Sequence, residues 1–231
     1  MGAIIQGWNI EGKTDYALDT PEGDEDAWSK RYRAFLNEAR KEVMFTSIKA
    51  QYGSGKNFDP GKIDHLGDLS AKVPADLYPP RLKLVRGKEI YDYSGALPTR
   101  VVSQRFRDVV EEIDPGVHQF VPVEIVNRAG NPCKGGPWYF FRVQRVLSAI
   151  NMEGSSNIPP VGVGGSDHGD ANRIQINSNA KLVVNADQVS SIGIWHDKRS
   201  PQHRFVSEKV LSRMKDAGLT GWEVRNPFEE R

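Results

Sequence analysis

Several stretches carry residue types that could do chemistry, and each is judged by the spacing its chemistry requires. Gly53-Ser54-Gly55-Lys56 looks like part of a phosphate-binding loop. That loop needs a glycine five positions before Gly55, where Ala50 stands, and Ser or Thr after the lysine, where Asn57 stands. Gly162-Val163-Gly164-Gly165 opens like a dinucleotide loop, but the third glycine would fall at Asp167 and no strong strand pattern precedes it. Gly164-Gly165-Ser166-Asp167-His168 approximates a nucleophile elbow with His168 in place of the closing glycine. The histidines are His65, His118, His168, His196 and His203, and none pair four apart on a helical pattern with an intervening Glu, as a zinc site of that type requires. His118, at the start of a strand pattern, reads as a structural histidine. Asp167-His168-Gly169-Asp170 offers oxygens and an imidazole to a cation. An enzyme, or a small-molecule or metal-binding domain using the 152–172 loop, is therefore the alternative reading. No complete catalytic set emerges. The expectation is a chain that is not an enzyme and has no catalytic residue, cofactor or metal.

The elements that would position such groups centre on Ser103 to Ile150. Phe106, Val109, Val110 and Ile113 fall at i, i+3, i+4 and i+7, the spacing of one helical face. Ser103 can cap the start, and Asp114-Pro115-Gly116 stops the helix because the residue before a proline is pushed out of the α region. His118 to Val126 and Trp138 to Leu147 read as two strands that could form a hairpin. Pro122 cannot donate to a ladder, which predicts an edge strand or a bulge. Before this region, Ile4 to Ile10 is a weak strand. Trp28, Tyr32, Phe35, Leu36 and Ala39 share a helical face. Val43 to Ile48 is a candidate strand, and Arg81 to Arg86 alternates as a half-buried one, with Glu89 to Tyr93 as its possible return. After the centre come two short strands around Asn177-Ser178-Asn179 and another at Ser191 to Trp195. Ser207 then caps a last helix with Val210, Leu211, Met214 and Ala217 inward, stopped by Gly218 and followed by a strand at Gly221 to Arg225.

The pattern predicts an α+β fold, a small mixed or antiparallel sheet with two or three packed helices. Residues 1–95 read as a loosely patterned N-terminal αβ region and residues 96–231 as an α+β domain, with a soft boundary at Ser94 to Pro98. Hydrophobic content of 38% and charged content of 26% exclude general disorder. A formal net charge of +1 disfavours direct nucleic-acid binding, which usually needs a basic excess. No apolar run approaches the roughly 20 residues that cross a bilayer. The start, Met1 to Gly7, lacks a signal-peptide pattern. With Cys133 as the single cysteine, no disulfide closes within the chain, and a cytoplasmic protein is expected.

One surface feature points to a partner. Gln104, Asp108 and Glu111 lie on the outward side of the central helix, with Glu112 alongside. Asp108 and Glu112 form a like-charge i, i+4 pair, which costs a few tenths of a kcal/mol. Such a face can dock a basic protein, since charge complementarity raises association rate and specificity.

Ser103-Gln104-Arg105-Phe106-Arg107, then Asp114 to Val123, then Trp138-Tyr139, resemble a bacterial polymorphic-toxin immunity-protein family first catalogued as a domain of unknown function. Ile194-Trp195-His196-Asp197, Phe205-Val206-Ser207-Glu208 and Gly218 to Trp222 are similar to that family's C-terminal end. The resemblance covers about Pro98 to Val224. It implies an immunity protein that binds and neutralises a cognate toxin stoichiometrically in the bacterial cytoplasm. It also implies a partner toxin that is often a nuclease of the HNH type, whose basic cleft would suit the acidic helix face.

Overall fold

The central helix, α1, spans Gln104–Ile113. Ser103 Oγ accepts from the Phe106 amide at its start, and Asp114 closes its end, as the sequence predicts. Phe106, Val109 and Val110 are buried, and Ile113 packs beside them. Each such aliphatic or aromatic side chain removed from water stabilises the fold by about 1.5–3 kcal/mol. The computed structural model describes residues 1–7, 17–19, 31, 34–35, 72–87, 89–96, 99–159 and 174–231. The expected strand at Val43 to Ile48 and the two glycine-rich loops lie outside these residues. So does most of the expected helix around Trp28, although Arg31, Ala34 and Phe35 are helical.

The architecture is mostly β, which overturns the expected α+β fold with one small sheet. One six-stranded sheet contains β1 (Gly2–Gly7), β8 (Val146–Leu147), β9 (Leu182–Val184), β10 (Ile194–Asp197), β11 (Ser200–Val206) and β12 (Trp222–Glu230). Its order is β8-β10-β11-β1-β12-β9. The second contains β2 (Ala17–Asp19), β3 (Arg81–Arg86), β4 (Tyr93–Ala96), β5 (Thr99–Ser103), β6 (Gln119–Val126) and β7 (Trp138–Arg142), ordered β2-β3-β6-β7-β5-β4. Two further helices are α2 (Ala186–Val189) and α3 (Glu208–Asp216). Most of the added strands are short or polar, so they carry little periodicity of their own. They exist because a distant partner completes their hydrogen bonds. β1, for example, lies antiparallel between β11 and β12.

Several local expectations change in detail. β6 and β7 do form the hairpin, Phe120 opposite Phe141. The run expected to continue to Leu147 breaks after Arg142, and Val146–Leu147 joins the other sheet beside β10. Pro122 faces Tyr139 on the β7 side, while β3 pairs only with Glu124 to Val126. β6 is thus an interior strand and not the expected edge, and Pro122 sits beyond the stretch that β3 pairs. β4 pairs with β5, not back onto β3. Only Leu182–Val184 of the two strands expected near Asn177 forms. β11, which sequence patterning did not single out, runs through Pro201.

One core is shared by both sheets and both longer helices, with Ala3, Ile5 and Val206 meeting Tyr93, Val102, Phe141, Phe106 and Met214. The remaining faces carry their own cores: Ile4, Trp195, Phe205 and Phe228 on the first sheet, and Val101, Val123, Ile125 and Phe140 on the second.

Candidate functional site

The outward face of α1 is held by buried carboxylates at both ends. At the N-terminal end, Asp92 is almost wholly buried. It accepts from Ser103 Oγ at 2.6 Å, from the Thr220 amide at 2.9 Å and hydroxyl at 3.0 Å, and from Arg105 at 3.3 Å. Arg105 also donates to the Ala217 carbonyl, so the start of α1 is tied to the turn that ends α3. Gly221 follows that turn with φ +88°, where a Cβ would lie 2.4 Å from the Tyr93 carbonyl oxygen. Only glycine fits there.

At the C-terminal end, Asp114 is 2% exposed. It accepts from Arg145 at 2.6 Å, from the Ile194 amide at 2.8 Å and from the Gly193 amide at 3.1 Å. The Gln144 amide donates to His118 Nδ1 at 3.3 Å, which leaves Nε2 to donate to Asp114 at 3.2 Å. Burial alone would raise the Asp114 carboxyl, but the bonds from His118, Arg145 and Ile194 outweigh it and hold the group well below the usual carboxylate range. His118 is thus a core histidine, as its sequence position predicted. A third buried carboxylate, Asp197, accepts from the amides of Ala149, Ile150 and Arg199 at 2.8–2.9 Å. Burial pushes its carboxyl up.

Between these anchors stand the four residues expected to meet a partner. Gln104 accepts from the Tyr139 hydroxyl and donates to Asp108, each at 2.5 Å. Glu111 accepts from the Gly116 amide at 3.2 Å, across the turn that ends the helix. Glu112 is paired with Arg213 of α3 at 2.6 Å. That bond lowers the Glu112 carboxyl and raises Arg213. Arg107, on the same helix, lies over the Tyr139 ring at 4.8 Å. The face is therefore mixed in charge. Among the described residues, Asp108 and Glu111 are its carboxylates without a cationic partner. Sequence reasoning missed Arg213, because only the packing of α3 beside α1 brings it near.

His168, Asp167 and Asp170, the alternative's candidate ligands, lie outside the described residues. Among the described residues no group of three or more His, Cys, Asp or Glu is placed to hold a metal ion. No helix among them is long and apolar enough to cross a membrane.

The arrangement gives the recurring pieces of the sequence a physical meaning. Ser103, Asp114, His118 and Thr220 belong to the polar knots at the two ends of α1, while Asp197 ties the end of β10 to the segment at Ala149 and Ile150. A family model described as an immunity protein family (Imm11) matches residues 22–227. The chain belongs to this immunity protein family. The match begins at Glu22, well before the Pro98 at which the motif resemblance starts, so much of the N-terminal part of this immunity protein is familial too. No curated protein matches the chain.

Proposed function

We propose that this immunity-family protein neutralises a cognate toxin in the bacterial cytoplasm by stoichiometric binding, without turnover of its own. Membership of the immunity family over most of the chain is the observation that carries this reading. The chemistry of the described core agrees with it. Asp92, Asp114 and Asp197 spend their lone pairs on amides, hydroxyls and arginines of the fold.

The proposed contact is the outer face of α1, around Gln104, Asp108, Glu111 and Glu112, with the 152–172 segment as a second element. A specific interface of ordinary size buries roughly 1,200–2,000 Å². Asp108 and Glu111 would meet basic groups of the toxin, as on a nuclease cleft. Co-expression with the toxin encoded beside this gene tests the reading directly: growth rescue and co-purification are expected, and failure of both rejects it. The double variant Asp108→Lys/Glu111→Lys tests the surface. Charge at an interface rim acts mainly on association, so a fall of about tenfold or more in association rate at low salt is expected. An unchanged rate removes this face from the interface.

A further inference from the structure

The two sheets bring cations together in the core they share. On β11, Arg204 stands opposite Ile5 and two residues from Val206, both members of that core. Alternation along the strand puts Arg204 on the same inner face. On the second sheet, Arg100 of β5 stands opposite Phe141, and Tyr93 of β4 opposite Val102, again members of that core. Arg100 lies over the Tyr93 ring, 5.5 Å from its centre. Arg204 lies within electrostatic range of Tyr93, Arg100 and Arg142.

Neither Arg204 nor Arg100 has a carboxylate partner among the described residues, and both are half-buried. The Tyr93 hydroxyl is buried with no hydrogen-bond partner among the described residues. An arginine withdrawn from water without a counter-charge is strongly unfavourable, and a fold that keeps two such groups together leaves a place for an anion. The neighbouring histidines add no positive charge of their own at pH 7, because burial first, and arginine charge second, push His196 down to about 3 and His203 to about 4.

We propose that Arg204 and Arg100, with the Tyr93 hydroxyl beside them, form a binding site for one dianionic oxyanion, a phosphoryl group. Two guanidiniums match the double charge of a phosphoryl group better than the single charge of a carboxylate, and their planar forks suit its oxygens. The site is separate from the α1 face and does not depend on the toxin reading.

The test titrates the purified full-length chain with inorganic phosphate, sulfate, acetate and adenosine monophosphate at constant ionic strength. Amide chemical shifts along β5 and β11 and the unfolding midpoint are followed. Saturable binding of phosphate and sulfate is expected, with acetate at least about tenfold weaker. Arg204→Met should weaken phosphate binding by about ten- to a hundredfold, the worth of a lost charge-assisted pair. Without added anion, Arg204→Met should unfold no earlier than the parent, since it removes an unpaired buried charge. Arg100→Met should weaken binding similarly and serves if Arg204→Met fails to fold. Tighter binding of adenosine monophosphate than of phosphate assigns a nucleotide as the source of the phosphoryl group, and the reverse assigns the free ion. Absence of saturable phosphate binding, acetate binding equal to phosphate, or phosphate binding unchanged in both variants overturns the proposal.

Discussion

Replacing Asp114 by Asn keeps the side-chain shape and removes the charge on which one end of α1 depends. Asp114 collects Arg145 at 2.6 Å, the Ile194 amide at 2.8 Å, the Gly193 amide at 3.1 Å and His118 at 3.2 Å. All four are donors, so an amide NH₂ placed among them meets at least one N–H head-on. Arg145 also loses its counter-ion inside the protein. Leaving a buried charge unpaired costs about 3–5 kcal/mol. A backbone amide stripped of its acceptor adds about 1–3 kcal/mol. Relaxation and water entry recover part of this, so Asp114→Asn should cost on the order of 4 kcal/mol. For a chain of this size, that lowers the melting temperature by roughly 8–16 °C. Urea titration of the parent and variant is the assay, with exposed Asp108→Asn as the control, expected within about 0.5 kcal/mol. If Asp114→Asn and Asp108→Asn unfold at the same urea concentration, the account of Asp114 as the knot between α1, β10 and the Arg145 segment is wrong. Gly193→Ala is a second route to the same knot, since its Cβ would lie 2.5 Å from the Asp114 carboxylate oxygen.

Other consequences follow from single residues. Ser103 and Ser207 both occupy helix N-caps, yet only Ser103 makes a side-chain cap bond. Ser103→Ala should therefore cost about 1–3 kcal/mol, and Ser207→Ala less than about 0.5 kcal/mol, in chemical denaturation; equal losses would refute the difference. Gly221→Ala should destabilise by about 1–3 kcal/mol and shift the Tyr93 amide resonance, because φ +88° and the 2.4 Å contact leave no room for a methyl group. The depressed His196 and His203 values make the unfolded chain the better proton acceptor below about pH 6.5. Stability is therefore complete above that pH and falls as pH drops towards 4, at about 1.4 kcal/mol per pH unit for His196 alone. Asp197, with its raised carboxyl, opposes the trend because the folded state then gains the proton more readily. A urea midpoint that stays flat between pH 7 and 5 would contradict this.

Local order was legible in the sequence wherever one element carries its own instructions. α1 could be read from four apolar residues at helical spacing, a serine before them and Asp-Pro-Gly after them, and α3 in the same way up to Gly218, whose φ is +59°. The β6–β7 hairpin followed from dense β-branched and aromatic runs. Those signals act over a few residues, and tertiary contacts here reinforced them. The motif resemblance to an immunity family was also legible, and within its pieces Asp114 and Asp197 accept from buried amides while the Ser103 and Thr220 hydroxyls donate to buried Asp92.

Tertiary structure decided the rest. Nothing within Gly2–Gly7, Leu182–Val184 or Ser200–Val206 marks a six-stranded sheet, since each strand is completed by chain tens to hundreds of residues away. The acidic face of α1 looked uniform in sequence, yet the packing of α3 gives Glu112 to Arg213 and leaves Asp108 and Glu111 as its carboxylates without a cationic partner among the described residues. Arg204 and Arg100 are 104 positions apart in the chain numbering, and only the pairing of β11 with β1 and of β5 with β7 turns both into one core. Periodicity specifies which side of an element is apolar. Which charges then meet depends on how those apolar sides are buried against one another, and that is a property of the whole fold.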